Sequence, residues 1–176
     1  MAKRVFKADL SVKSIEELKK QLIDYQNNVL QAKTEELARR LAEKGVEIAK
    51  ANVAKLDAVF TGELMNSIHE KDGGSTKTSA IFYIVADSEH AAFVEFGTGQ
   101  IGEEAPYPYP LPEGVKWEYN SGKTIFEISP GQYGWFYQKN GEWYFTQGMP
   151  SRPFMYETSL ELYDIVLQTA KEVFGK

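Results

Sequence analysis

His90-Ala91-Ala92-Phe93-Val94-Glu95-Phe96-Gly97-Thr98-Gly99 is the stretch around which the chain is organised. It is short and apolar, and it carries one acid between two large apolar side chains. Phe93 and Phe96 are three apart, so one helical turn places them on the same side. Gly97 and Gly99 stop that turn, because glycine enters left-handed conformations without steric cost. Glu95 then stands at the C-terminal end of the turn, where a helix dipole disfavours an anion. Either the carboxylate is a solvated surface group, or it is buried and needs a partner. Arg152, in Met149-Pro150-Ser151-Arg152-Pro153-Phe154, is the partner expected.

The 176 residues fit one domain, residues 1–176, with room for an arm or an insertion. Hydrophobic residues at 43% and charged residues at 26% are those of an ordinary globular protein. A net charge of −5 and a pI of about 5.2 provide no basic stripe for gripping phosphates. With no cysteine in the sequence, disulfides, thiolate metal sites and cysteine nucleophiles are excluded. His69 and His90 have no ligand-like spacing, so no metal and no cofactor are expected. No run approaches the ~20 apolar residues of a membrane span. The first residues carry charge with no apolar run behind them, so neither a signal peptide nor a membrane partner is expected.

Toward the N-terminus, residues 4–12 read as a short strand or extended arm. Ser14 and Glu17 make a capping box that opens a helix. Ile15, Leu18, Leu22, Tyr25, Val29 and Ala32 then follow 3-4-3-4-3 spacing. That seam is either a plain core face or an intersubunit coiled coil. A helix continuous from 14 to 55 would be on the order of 60 Å long, too long for one small core. A break near residues 32–34, or a neighbouring subunit, is therefore expected. Thr61 can cap a short turn, Gly62 loosens the chain, and Leu64 and Ile68 pack inward. Asp72-Gly73-Gly74-Ser75 reads as the turn between strands at 68–71 and 78–86, the second of them central.

Toward the C-terminus, Ala105-Pro106-Tyr107-Pro108-Tyr109-Pro110-Leu111-Pro112 is extended, and prolines so spaced cannot join a central strand. The segment after it reads as an inserted loop with one loose hairpin. Aromatic stretches 133–138 and 142–146 flank Lys139-Asn140-Gly141, a strong hairpin signal. Trp117, Trp135 and Trp143 are the possible binding aromatics of this region. They either pack the hairpin, serve an interface, or form a stacking platform. A final helix over about 153–174 presents Phe154, Thr158, Leu162, Ile165, Val166 and Val173.

Three stretches, in order, carry a resemblance: Thr61-Gly62-Glu63-Leu64 with Ser67-Ile68; Ala91-Ala92-Phe93-Val94-Glu95-Phe96-Gly97-Thr98; and Arg152-Pro153-Phe154 opening a C-terminal helix. Following an Ala/Lys-rich helix, they resemble the lambdoid-phage tail-component family. Its members are small head–tail joining, or tail completion, proteins of tailed bacteriophages and prophages. The resemblance covers roughly residues 30–99 and 130–174. It implies an α+β fold in which a long N-terminal helix or helix pair and a C-terminal helix pack on a small curved, mainly antiparallel sheet. It also implies a virion structural protein of the neck or tail, made in the bacterial host cytoplasm. The partners implied are a homo-oligomeric ring, other phage connector or tail proteins, and DNA passing through without specific binding. The motif residues it singles out are Thr61, Gly62, Leu64, Glu95, Phe96, Gly97, Thr98, Arg152, Pro153 and Phe154. The chain departs from the family pattern before about residue 30 and over 100–132. The alternative expectation is a glycan- or protein-binding module that uses residues 117–143. Ser67, His69, His90 and Glu95 form no recognised catalytic set, so an enzyme is not expected.

Overall fold

A computed structural model describes residues 5–58, 62–76, 78–120 and 122–175. The fold is α+β, with a long N-terminal helix, a C-terminal helix and two small antiparallel sheets. The chain divides into two compact units. One comprises residues 1–48, 69–85 and 159–176, and the other residues 49–68 and 86–158.

In the first unit, helix α1 (Val12–Asp24) passes through a π-helical turn (Tyr25–Leu30) into α2 (Gln31–Lys55) without interruption. The whole helix is about 66 Å long. The break expected near residues 32–34 does not occur. The backbone instead widens at Tyr25–Leu30, and Thr34 returns its hydroxyl to the Leu30 carbonyl at 2.9 Å. The helix also starts earlier than the capping box suggests. Ser11 is the N-cap and accepts from the Ser14 N–H at 3.2 Å, while Asp9 Oδ1 accepts the Ser11 N–H at 2.8 Å. The described residues before it, 5–10, form an arm without strand structure, and Phe6 meets Tyr25 edge-on at 5.6 Å.

The core-face reading of the seam is corrected: none of Ile15, Leu18, Leu22, Tyr25, Val29 and Ala32 is buried. In this unit Ala42 is the buried apolar side chain of α2; Ala49 and Val53, further along the same helix, are buried in the second unit. Gly45 has Ile84 and Leu162 against it, so closely that a Cβ would fall 2.2 Å from Ile84 Cδ1. Helix α6 (Phe154–Phe174) runs beside α2 in the opposite sense. Lys33 Nζ donates to the Val173 carbonyl at 2.8 Å, and Lys44 Nζ to Thr169 Oγ1 at 3.1 Å.

Strands β1 (Ile68–Ser75) and β2 (Ala80–Ala86) form a two-stranded sheet. The turn expected at 72–75 lies inside β1. Asp72 Oδ1 accepts the Gly74 N–H at 2.7 Å, and the chain reverses three residues later, where Thr76 N–H meets the Ser79 carbonyl at 2.7 Å. β2 is not a central strand. Among the described residues its sheet partner is β1 alone, and Ile81 and Tyr83 are exposed.

In the second unit, α3 (Glu63–Ser67) follows a left-handed Gly62, and α4 (Ala91–Phe96) ends at Gly97, with φ +82°. Thr61 lies outside the described residues. Helix α5 (Gly99–Glu104) begins at the Gly99 that the sequence reads as the stop of the preceding turn. Strands β3 (Phe126–Ser129), β4 (Gln132–Lys139) and β5 (Glu142–Thr146) form an antiparallel sheet in the order β3-β4-β5. The Asn140-Gly141 hairpin is present, with φ +53° and +85° at the two turn residues, the pairing that matches strand twist. The loose hairpin expected after residue 117 is instead one strand, β3, added to β4.

Candidate functional site

Helix α4 and the turn after it form a junction in the second unit. Glu95 is only 6% exposed. Its carboxylate does not meet the Arg152 guanidinium, and that expected pair is corrected. Oε2 accepts the Met155 N–H at 2.9 Å and Oε1 the Tyr156 N–H at 3.1 Å. These N–H groups belong to the first turn of α6, which no intrahelical carbonyl reaches. The acid is at the wrong end of its own helix and the right end of another. Burial nevertheless dominates: it holds the Glu95 carboxyl above the usual glutamate range, against the lowering by the two N–H donors, with Glu157 adding a smaller upward push.

Arg152 contributes its backbone, whose N–H meets the Val94 carbonyl at 2.8 Å. Ser151 Oγ donates to the Glu95 carbonyl at 2.6 Å. Pro153 and Phe154 are buried at the start of α6. Thr98 is bridged to Met149 in both directions, at 2.9 and 3.0 Å. Phe96 lies between Tyr107 and Trp117, with centroids at 5.0 and 5.1 Å. The motif residues Glu95, Phe96, Gly97, Thr98, Arg152, Pro153 and Phe154 are thus brought together. Tyr109 stacks on Tyr156 at 3.8 Å, and its hydroxyl donates to Glu157 at 2.6 Å. Burial, with the nearby Glu95 charge, pushes the Tyr107 phenol up to about 12.

Beside this junction is an open groove of about 1060 Å³. Phe93, Trp117, Tyr119, Trp135 and Tyr137 supply its aromatic surface. Gly62 and Leu64 line it from the other side. Trp117 is fixed by its indole N–H, which donates to the Gly97 carbonyl at 2.9 Å. Trp135 faces the groove from β4, with Lys123 Nζ 5.8 Å from its ring centroid, within cation–π range. Lys116 and Lys139 add ammonium groups, and Glu63 and Glu118 carboxylates. Trp143, the third of the expected binding aromatics, is not among the lining residues. It is 68% exposed on β5, opposite Gln138.

Chemically the groove offers stacking faces and hydrogen-bonding rims, a recognition surface. His90 lines it, near Phe93 at 6.4 Å. Among the described residues, no group of three His, Asp or Glu could hold a metal ion. No helix of the described residues is long and apolar enough to cross a membrane.

Sequence reasoning missed Met155 and Tyr156 as the partners of Glu95. Pro153 just ahead of an apolar helix signals where free N–H groups lie, but nothing local says which acid reaches them. No protein-family model, no curated protein and no solved structure matches the chain.

Proposed function

We propose that the chain is a non-enzymatic structural subunit of a tailed phage or prophage particle, a head–tail joining or tail completion protein assembling around the DNA channel. One observation carries the reading: 13 residues of regular helix, α1, have no buried side chain, yet carry a heptad-spaced apolar seam. An apolar stripe left in water is costly, and association is the usual way to cover it. The resemblance in the Val94-Glu95-Phe96-Gly97-Thr98 and Arg152-Pro153-Phe154 blocks supplies the kind of assembly. A mildly acidic surface suits a channel through which DNA slides without being gripped.

The test is made on particles. Mass spectrometry and immunogold labelling are expected to find the chain at the neck or tail, and deletion of its gene to leave heads and tails unjoined. Particles that lack the chain, or neighbouring genes for metabolism or the cell wall, would overturn the reading.

The groove favours a second reading, a glycan- or protein-binding module. It requires saturable binding that Trp135→Ala abolishes, in a chain that no phage particle contains.

A further inference from the structure

Two apolar stripes of the first unit are uncovered. One is the α1 seam, where Ile15 and Leu22 are exposed, with Val12 and Ile23 at its edge. The other is on α6, turned away from its buried residues Thr169 and Val173. Leu160, Tyr163, Leu167, Ala170 and Phe174 follow 3-4-3-4 spacing, the spacing of the α1 seam. Tyr163 is 80% exposed and Leu167 72%. The α1 seam cannot cover the α6 stripe of its own chain while the long helix stays continuous. Lys33, in the first turn of α2, already bonds the carbonyl of Val173 near the end of α6, so α1 continues past that end. Among the described residues, Phe6 of the arm meets Tyr25 of the seam edge-on.

We infer that the α1 seam of one copy docks antiparallel on the outer α6 stripe of a second copy. The inference names the self-association surface of the structural-subunit reading and rests on it. Charge chooses the pairing. In an antiparallel two-helix contact, the positions just after the d residues of each helix face one another. After Leu18 that position is Lys19, and after Tyr163 it is Asp164. With Leu22 against Tyr163, Leu18 falls against Leu167 and Ile15 against the small Ala170, and Lys19 meets Asp164. Pairing α1 with α1 in the same manner sets Lys19 against Lys19, and pairing α6 with α6 sets Asp164 against Asp164. Unlike pairing also covers both stripes at once, whereas α1 on α1 leaves the α6 stripe in water. The contact is heterologous, so each subunit offers one free seam and one free stripe, and repetition builds a ring or a filament.

The absence of native cysteine makes a direct test available. The 176-residue chain carrying Leu22→Cys and Tyr163→Cys is oxidised at high protein concentration. A ladder of dimer, trimer and larger species is expected, with each single variant remaining monomeric on a denaturing gel. Lys19→Asp in that background is expected to abolish the ladder, and Asp164→Lys added to it to restore the ladder. Both positions are exposed, and circular dichroism of each variant checks that the fold is unchanged. A dimer from Leu22→Cys alone, a double variant that stays monomeric, or a charge reversal without rescue overturns the inference. A ladder from a chain that no phage particle contains keeps this surface and removes the phage reading. Particles that contain the chain, with no such crosslink in solution or in the particle, do the reverse.

Discussion

Glu95 is the residue whose environment departs most from its local sequence. Its carboxylate closes the first turn of α6 through two N–H bonds, at 2.9 and 3.1 Å. Glu95→Ala leaves both donors without an acceptor in a buried place, and each such loss costs about 1–3 kcal/mol. Urea unfolding is expected to report a destabilisation of about 2–4 kcal/mol, with Glu95→Gln, which keeps one acceptor, losing less. The same burial determines a pH dependence. The native carboxyl binds its proton more tightly than the unfolded one. Its contribution to stability is therefore fully present below the ordinary glutamate range and is lost as pH rises through the raised native value. Carbon-13 titration of the side-chain carboxyls is expected to place Glu95 above the exposed glutamates, and Glu95→Gln to remove its share of the slope. Arg152→Lys is expected to change stability little, because Arg152 holds Val94 through its backbone. The charge complementarity of Glu95 and Arg152 is plain in the sequence, but the helix N-terminus that displaces the arginine is a property of backbone geometry.

At the scale of elements, glycines of two kinds separate turn chemistry from packing. Gly141 has φ +85° with nothing within 4 Å of where a Cβ would be, so Gly141→Ala pays only for a left-handed backbone, about 1 kcal/mol. Gly148 also has positive φ, but a Cβ there would fall 1.9 Å from the Thr98 carbonyl oxygen. Gly148→Ala must push apart the Thr98–Met149 bridge, and thermal unfolding is expected to report at least about 3 kcal/mol. The Asn140-Gly141 turn was legible because turn type depends on two residues alone. The reversal after β1 was misplaced because an Asp72 side chain satisfies the Gly74 N–H inside the strand, so glycine there marks an irregularity rather than a turn. Helix α5 escaped notice because its formation depends on Gly99 N–H meeting the Tyr119 carbonyl and Ile101 N–H meeting that of Gln147, contacts far away in sequence.

For the whole molecule, the uncovered seam makes folding and association separable. Ile15→Glu with Leu22→Glu, on a helix with no buried residue, is expected to leave the unfolding free energy within about 0.5 kcal/mol of the parent. Sedimentation of concentrated protein is expected to show self-association lost in the same variant. The α+β class was what the resemblance implied; the sequence by itself determined the heptad-spaced N-terminal helix, the aromatic Asn-Gly hairpin and the glycine-ended turn at residues 90–99. These follow from periodicity and turn chemistry, which act over a few neighbouring residues. Only the tertiary structure decided which part of the long helix is buried, that the strands divide into two sheets, that Trp117 and Trp135 rather than Trp143 line a groove, and that Glu95 caps α6. Each of those depends on which distant backbone groups and side chains arrive at the same place, and burial and hydrogen-bond satisfaction there outweigh the local preferences that a sequence pattern records.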